Sequence, residues 1–288
     1  MLNYFLRNIK KVLIDSLPDK LYLMIIFRRR MGYWTDFNNP KSFSEKLQWL
    51  KLYNRKPIYT TMVDKYAVKE YVSAIIGEEY IIPTLGIWNS FDEIDFDKLP
   101  NQFVLKCTHD SGGLVICKDK NKLDRTAANV KISKSLKTDY YKVWREWPYK
   151  NVPKKIIAEQ YMEDSSTSEL CDYKFFCFDG EVKAMYVATD RQRRKEPYFD
   201  FFDENYNHLP FKQGHPNSPT LPCKPVCFEK MKELAKKLSQ GIVHARIDFY
   251  EVDGKVFFGE ITLFHFSGIV PFEPAEWDLK FGEYIRLQ

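Results

Sequence analysis

This sequence has little glycine and no excess of proline. Twelve Gly and 15 Pro among 288 residues are too few for a collagen-like or low-complexity chain, and 44% hydrophobic with 16% aromatic residues argues against disorder. Long apolar runs are lacking as well, since the longest covers only residues 21–27, whereas roughly 20 residues are needed to cross a bilayer. The sequence therefore predicts a folded protein without a transmembrane helix.

Cysteine is also infrequent, with six residues in the chain. Four of them lie in apolar, strand-like runs, which is typical of buried reduced thiols, so we expect no disulfide. Cys223 and Cys227 have a CxxxC spacing but no second Cys or His pair nearby, so the sequence favours two loop thiols over a zinc site.

Basic residues concentrate in the first part of the chain. Residues 1–60 contain 12 Lys and Arg against 4 Asp and Glu, while the whole chain has a net charge of +5. Apolar residues recur there at helical spacing around Arg7, Lys10 and Lys11, which predicts a basic amphipathic helix. This helix suits either contact of residues 1–35 with an anionic membrane surface or packing on the body of the protein, and both interpretations stay open.

The same basic residues bear on location and partners. They interrupt any apolar segment that a secretory leader would need, so we expect a cytoplasmic protein, at most peripheral at the inner face of the membrane. Nucleic-acid binding needs basic residues spread along a groove with stacking aromatic residues, and this pattern is not seen. We therefore expect no nucleic-acid partner.

Helix and strand signals predict an α+β fold. Ser42 and Glu45 have the spacing of a capping box before a helix, and further helices are predicted over residues 64–76, 127–144 and 228–239. The β-rich runs cover residues 103–107, 114–117, 156–161, 173–178, 182–189 and 245–250.

One strand carries a lysine among apolar residues. Lys106 lies within residues 103–107, where an unpaired ammonium group is costly, so an anion should meet it. The turn Ser111-Gly112-Gly113 follows, and its backbone N–H groups suit a polyphosphate. A plain hairpin turn is the alternative interpretation.

A hairpin near the C-terminus carries acidic and basic residues. Strand alternation places Arg246 and Asp248 on one face of the first strand, and Glu260 and Thr262 on one face of the next. A two-residue Asp253-Gly254 turn would set Asp248 opposite Gly259, whereas a three-residue loop sets it opposite Glu260. We predict the three-residue loop, with Mg²⁺ between the two carboxylates, against the alternative of a solvated face.

Another pair of predicted strands carries cationic side chains. Asp172 and Lys174 share a face of the strand before the Asp179-Gly180 turn, and Arg191 ends the return strand. Cations near a carboxylate-lined metal site suit a transferring phosphoryl group, while the alternative is a surface ion-pair cluster.

In this order the motifs resemble those of the ATP-grasp superfamily, in particular the teichuronopeptide-biosynthesis-like (TupA-like) family of polysaccharide biosynthesis proteins. The resemblance covers most of the chain and begins with Asn39-Pro40-Lys41-Ser42-Phe43-Ser44-Glu45-Lys46-Leu47-Gln48-Trp49-Leu50. It implies an ATP-grasp fold in which two α+β subdomains grip ATP beside a helical N-terminal region. The expected regions are the helical basic region 1–60, the N-terminal α/β part 61–100, the central lid 101–165 and the C-terminal subdomain with the metal site 166–288.

The resemblance also implies which residues bind ATP. Lys65 and Lys106 match the two lysines that reach the nucleotide phosphates, and Glu159 matches the hinge side chain that contacts adenine. The other expected contacts with ATP come from the backbone of the hinge, from the glycine loop and from the Asp-x-Lys strand, namely Gln160, Tyr161, Met162, Ser111, Gly112, Gly113, Asp172 and Lys174.

The implied metal ligands and catalytic residues follow in the same way. Asp248, Glu260 and Thr262 match the positions that hold Mg²⁺, although the family pattern has asparagine where this chain has Thr262. Arg246 matches the arginine that stabilises the acyl phosphate or its tetrahedral adduct, and Arg191 the arginine near the reacting phosphate.

The implied activity is that of a carboxylate–amine ligase: ATP phosphorylates a carboxylate, and an amine displaces phosphate to form an amide. The expected substrates are a carboxylate-bearing saccharide or polysaccharide precursor and an amine or amino acid, in capsule or O-antigen biosynthesis. A glycosyltransferase or an ATP-dependent sugar kinase of the same pathway is the alternative, although the stretch from Asp200 to Asp203 is one residue too long for Asp-x-Asp. A non-catalytic scaffold is a third interpretation, and the lysines and carboxylates argue against it.

Overall fold

The structure is a computed structural model that describes residues 15–165, 170–190 and 196–287. The basic amphipathic helix expected near the N-terminus and the candidate Arg191 lie outside the described residues. None of the described helices is both long and apolar enough to cross a membrane. The six cysteines form no disulfide with one another.

In the described part of the chain, four helices precede the first strand. They are α1 (Asp19–Met31), α2 (Phe43–Tyr53), α3 (Ile58–Val63) and α4 (Ala67–Ile76). The predicted capping box is present, since the Glu45 N–H donates to Ser42 Oγ at 3.2 Å and the Ser42 N–H donates to Glu45 Oε2 at 3.1 Å. Helix α4 begins three residues later than predicted because the Asp64 carboxylate accepts the N–H groups of Tyr66 and Ala67.

The smaller sheet has the antiparallel order β1-β4-β2-β3. Its strands are β1 (Thr84–Trp88), β2 (Phe103–Cys107), β3 (Leu114–Cys117) and β4 (Ile156–Gln160). The single helix predicted over residues 127–144 is wrong: the chain forms α5 (Arg125–Leu136) and then α6 (Tyr140–Trp144). The break is fixed by Asp139, whose side chain caps α6 by accepting the Lys142 N–H.

The larger sheet has the antiparallel order β11-β10-β5-β6-β7-β8. These strands are β5 (Asp172–Phe178), β6 (Glu181–Thr189), β7 (Tyr198–Asp203), β8 (His208–Leu209), β10 (Ala245–Val252) and β11 (Lys255–Thr262). Strands β9 (Lys212–Gln213) and β12 (Phe272–Glu273) form a separate pair. The remaining α-helices of the described residues are α7 (Phe228–Leu238) and α8 (Glu276–Tyr284), and short 3-10 helices include Trp147–Asn151, directly after α6.

Two hydrophobic cores hold these layers together. The first unites α2 and α4 with the larger sheet; Phe43, at the start of α2, packs edge-on against Phe176, Phe272 and Phe281 with ring centroids 5.9–6.3 Å apart. The second lies between the smaller sheet and α5, and includes Phe103. The division into regions 1–60, 61–100, 101–165 and 166–288 stays a prediction, although β1 of the second region pairs with β4 of the third.

The C-terminal hairpin has the predicted facing pairs but not the predicted loop. Asp248 lies opposite Glu260, and Arg246 lies opposite Thr262, as expected. The expected three-residue loop is wrong, because Val252 pairs with Lys255 across a two-residue turn. A β-bulge after Asp248 compensates by inserting one extra residue, Gly259, into β11. A Cβ atom there would lie 3.1 Å from the Asp248 carbonyl oxygen, so glycine suits this position.

Candidate active site

A cleft lies between the smaller sheet and the β10–β11 side of the larger one, and it collects residues far apart in sequence. Its walls come from α4, β2, β4, β5, β11 and the glycine turn. The predicted site residues that line it are Lys65, Lys106, Ser111, Gly113, Glu159, Asp172, Lys174 and Glu260.

Two lysines share one buried carboxylate in this cleft. Lys106 pairs with Ile157 across β2 and β4, so Glu159 lies diagonally next to it on the same face. Lys106 Nζ lies 2.5 Å from Glu159 Oε2, and Lys69 Nζ lies 2.6 Å from Glu159 Oε1. This confirms the expectation that an anion meets Lys106.

The charges of Lys106, Lys69 and Glu159 shift one another's pKa values. Burial alone would raise the pKa of Glu159, but the charges of Lys106 and Lys69 lower it. Burial likewise acts to lower the pKa of Lys106, but Glu159, Tyr250 and Glu260 together raise it above its usual value. Two ammonium groups and one carboxylate leave a net positive charge, which suits an anionic ligand. Sequence reasoning missed Lys69; its spacing of four residues from Lys65 at the start of a helix was the available signal.

Lys65 joins the cleft to the glycine turn. Its backbone N–H donates to the Thr108 carbonyl at 3.1 Å, and its Nζ donates to the Asp110 carbonyl. Burial lowers the pKa of Lys65, while Glu260 and Asp110 act in the opposite direction.

The glycine turn is fixed by the Asp110 carboxylate, which accepts the Gly113 N–H at 3.1 Å and the Ser135 hydroxyl. A Cβ atom at Gly113 would lie 2.5 Å from Ser135 Oγ, whereas one at Gly112 would meet nothing closer than 3.7 Å. Because the Gly113 N–H is engaged, the N–H groups of Ser111 and Gly112 are the loop's candidate donors to a ligand.

The cleft continues into a mainly apolar slot of about 200 Å³ beside the predicted hinge. Gln160, Tyr161 and Met162 line it, as do Lys106 and Glu159. Its apolar side chains are Ile82, Val104, Leu114, Ile116, Leu170 and Tyr250. The Gln160 N–H already donates to the Pro83 carbonyl at 3.0 Å, so a planar ligand would use the other backbone groups of this segment.

A buried ion cluster forms where β5, β10 and β11 lie side by side. Arg246 donates to both oxygens of Asp248, from Nε and Nη2 at 2.7 Å each, and from Nη2 to Glu260 Oε1 at 2.9 Å. Lys174 also donates to Asp248 and lies 3.1 Å from Asp172 Oδ1. Burial opposes the ionisation of Glu260, yet Lys174, Arg246 and Lys65 lower its pKa. The cluster therefore holds the Glu260 carboxylate ionised.

The predicted metal ligands fit Mg²⁺ unequally. Glu260 is partly exposed to the cleft, and the Thr262 hydroxyl lies 3.3 Å from its Oε1, so these two offer neighbouring hard oxygen ligands. Asp248 is 1% exposed and both of its oxygens are bound by Arg246 or Lys174. In the described part of the chain, no group of three or more His, Cys, Asp or Glu side chains is arranged for a metal. Mg²⁺ here would thus depend on phosphate and water for its other ligands.

His265 positions Arg246, a contact that the sequence analysis did not predict. Arg246 Nη1 lies 2.9 Å from His265 Nδ1, and since a guanidinium can only donate, Nδ1 must be the acceptor. His265 Nε2 then donates to Gln213 Oε1 at 3.2 Å, and Gln213 Nε2 donates to the Val270 carbonyl at 3.1 Å. Burial and the charge of Arg246 lower the pKa of His265 well below its usual value, in keeping with a neutral ring.

A second cleft of about 440 Å³ adjoins the first. Lys65, Asp110, Ser111 and Glu260 line both clefts, and Arg246 and Thr262 face only the second. Its other lining side chains include Arg30, Glu146 and the aromatic residues Tyr140, Trp144, Tyr149, Phe264 and Phe266. A two-substrate reaction could place one substrate in each cleft, with the reacting groups where the clefts meet.

The sequence matches a known family, and the fold is similar to several solved structures. The family model described as TupA-like ATPgrasp matches residues 45–286. The fold is similar to L-amino acid ligase from Bacillus licheniformis (13% identity, TM-score 0.48, covering 91% of this chain and 58% of that one). It is also similar to D-alanine–D-alanine ligase from Bacillus anthracis complexed with ATP (14% identity, TM-score 0.41, covering 70% of this chain and 54% of that one). A third similar structure is D-alanine–D-alanine ligase from Helicobacter pylori (16% identity, TM-score 0.43, covering 85% of this chain and 70% of that one). The chain thus spans little more than half the length of two of these ligases, and no curated protein matches its sequence.

Proposed function

Since this chain belongs to the TupA-like ATP-grasp family, we propose that it uses ATP and Mg²⁺ to activate a carboxylate as an acyl phosphate and joins it to an amine. The observation that carries this proposal is the meeting of two clefts at Lys65 and Glu260. One cleft is rich in lysine and opens into an apolar slot, as a nucleotide site requires. The other holds space for a second substrate next to the same charged groups.

ATP would lie in the first cleft. The apolar slot beside residues 160–162 suits adenine, and Lys106, Lys69 and Lys65 follow in the direction of Glu260 as partners for the phosphates. Glu260 and Thr262 would hold Mg²⁺ together with phosphate oxygens, and the metal would supply neutralisation of charge during phosphoryl transfer.

The reacting carboxylate would lie on the far side of Glu260, in the second cleft. Arg246 faces this cleft with a guanidinium that four contacts hold in place, so it can stabilise an acyl phosphate or a tetrahedral adduct without first reorganising. Lys65 stands between the two substrates. Arg191, outside the described residues, stays our candidate for a second cation near the transferred phosphoryl group.

The substrate classes belong to this proposal. We infer a saccharide or polysaccharide precursor as the source of the carboxylate and an amino acid or other amine as the nucleophile. The support is the family's description together with the aromatic walls of the second cleft. The pathway would be that of a bacterial surface polysaccharide, in the cytoplasm or at the inner face of the membrane.

The test follows ADP release by the purified protein with ATP, Mg²⁺ and panels of sugar acids and amino acids. Hydroxylamine in place of the amine should trap an acyl phosphate as a hydroxamate. Lys106→Ala should abolish ATP binding in calorimetry, while Lys98→Ala, whose side chain is 85% exposed, should leave it unchanged. A sugar kinase would instead release ADP without an amine and give a phosphate ester that hydroxylamine does not trap. Lack of ATP binding by the folded wild-type protein would refute the proposal.

A further inference from the structure

The second cleft has a wall of aromatic rings that is rigidly supported from outside. The wall is α6 with the short helix that follows it, residues 140–151, and three of its rings face the cleft: Tyr140, Trp144 and Tyr149. Tyr140 and Tyr149 pack edge to face with ring centroids 4.7 Å apart. The volume of about 440 Å³ lies within the range of small-molecule sites.

Helix α1 braces this wall from behind. The Tyr22 hydroxyl donates to the Val143 carbonyl at 2.7 Å, and Tyr141 donates to the Asp19 carboxylate at 2.7 Å. Arg145, 2% exposed, donates to the Asp15 carbonyl and stacks over the Tyr22 ring with its guanidinium carbon 4.4 Å from the centroid. A surface held in place before the ligand arrives loses little entropy on binding, which favours recognition by stacking.

The carboxylate of Glu146 lines the same cleft as the aromatic wall. Glu146 is 5% exposed and lines the cleft, and burial raises its pKa while the charge of Lys51 acts against this rise. Lys51, 1% exposed, donates to Ser267 Oγ at 2.6 Å and to the Trp144 carbonyl at 3.1 Å. Because Lys51 already supplies a positive charge next to Glu146, this carboxylate suits the hydroxyl groups of a neutral ring better than a second ammonium ion.

Arg246 makes another part of the cleft suitable for a carboxylate. A guanidinium has five N–H groups, and four of those of Arg246 go to Asp248, Glu260 and His265. Within the described part of the chain, the fifth, on Nη1, is the donor left for a ligand, and Arg246 faces this cleft together with Lys65. A ligand that fills the cleft therefore has an anionic group at one end and a ring with hydroxyl groups next to it.

We propose that the second cleft binds a sugar acid as a ring, with its carboxylate at Arg246 and Lys65, the apolar face of the pyranose on the Trp144 wall, and its hydroxyl groups on Glu146. The transfer of phosphate to that carboxylate rests on the proposed function, whereas the binding of the ring does not. A pyranose presents apolar C–H groups on its faces and hydroxyl groups at its edge. The C–H groups suit the aromatic wall, and the hydroxyl groups suit the carboxylate of Glu146. An open-chain amino acid offers no such face to the wall.

Saturation-transfer-difference NMR tests this assignment, with D-glucuronate, D-galacturonate, D-glucose and L-glutamate as probes and a non-hydrolysable ATP analogue with Mg²⁺ present. We expect saturation of the uronate ring protons, a weaker signal from glucose and none from glutamate. Trp144→Ala and Glu146→Gln should each weaken uronate binding at least 10-fold and keep ATP affinity within 2-fold. Trp144→Phe should retain most of the binding, and Trp34→Ala, at an exposed tryptophan that lines neither cleft, should retain all of it.

The assignment would be overturned by binding of glutamate in place of the uronates, or by lack of uronate binding by wild-type protein that binds the ATP analogue. Unchanged uronate affinity in both Trp144→Ala and Glu146→Gln would do the same. Uronate binding that these variants weaken, without any ADP release or hydroxamate, would support the sugar site and refute the ligase reaction, so the two proposals fail separately.

Discussion

His265→Phe should slow catalysis through Arg246 while leaving ATP binding intact. Phenylalanine keeps a ring where His265 packs edge-on against Phe176, with centroids 4.8 Å apart, but it removes the acceptor that holds one Nη1–H of Arg246 at 2.9 Å. The side chain of Arg246 is 8% exposed, so water cannot easily replace the lost acceptor.

The size of the effect follows from the type of bond. A hydrogen bond to a charged group contributes about 1.5–3 kcal/mol. If that bond is needed to orient Arg246 in the transition state, the rate of hydroxamate formation should fall roughly 10- to 150-fold. Two hydrogen bonds to Asp248 and one to Glu260 still hold the guanidinium, so the rate should fall without the loss of folding that removal of Arg246 itself would risk.

The assay is the rate of hydroxamate formation at saturating ATP and acceptor, with the dissociation constant of ATP measured separately by calorimetry. His244→Phe is the matched control, because His244 lies in the same aromatic cluster and bonds the Cys177 carbonyl rather than Arg246. His265→Asn should recover part of the rate, since its amide oxygen can accept from Arg246. Equal rates in His265→Phe and His244→Phe, or a loss confined to ATP affinity, would refute the reasoning.

Three more predictions concern the same elements. Lys69→Met should weaken ATP binding about 10-fold in calorimetry, because it removes one of the two cations on Glu159; an unchanged affinity would place Lys69 outside the phosphate site. Gly113→Ala should lower the free energy of unfolding in urea by about 1–3 kcal/mol, since its Cβ atom has no room, and Gly112→Ala should change it little, so equal losses would contradict the geometry. Stability should fall as the pH drops below about 6.5, because the unfolded chain then protonates His244 and His265 while burial keeps both neutral in the fold, lowering the pKa of His244 to about 3. Below that pH, each histidine lowers the free energy of unfolding by about 1.4 kcal/mol per pH unit. His244→Phe should therefore reduce the pH dependence of the free energy of unfolding in urea titrations from pH 7.5 to 5, and an identical slope would count against this account.

Local signals predicted local structure well. The start of α2 followed from Ser42 and Glu45, because a capping box needs only residues three apart. The Asp179-Gly180 turn followed from its own two residues and is present between β5 and β6. The family motifs then gave the fold, which the match over residues 45–286 confirms.

Contacts between distant segments could not be predicted from local patterns. The facing of Asp248 and Glu260 was right, but the reason was a bulge at Gly259 rather than a longer loop, and a bulge leaves no clear mark in a single sequence. The bond between His265 and Arg246 was missed because it depends on how the chain turns after β11. The aromatic wall of the second cleft was missed for the same reason, since only the fold brings residues 140–149 next to Arg246 and Thr262.

The carboxylate shared by Lys106 and Lys69 also bears on selectivity among the anions of a cell. A phosphate that enters the cleft competes with Glu159 for lysines that are already engaged, so contact with them yields less free energy than contact with unpaired lysines would. Inorganic phosphate and sulfate bring nothing else to offset that competition. A nucleotide brings a planar base for the apolar slot next to residues 160–162, so an internal counter-ion makes abundant small anions poor competitors for a site built to hold triphosphates.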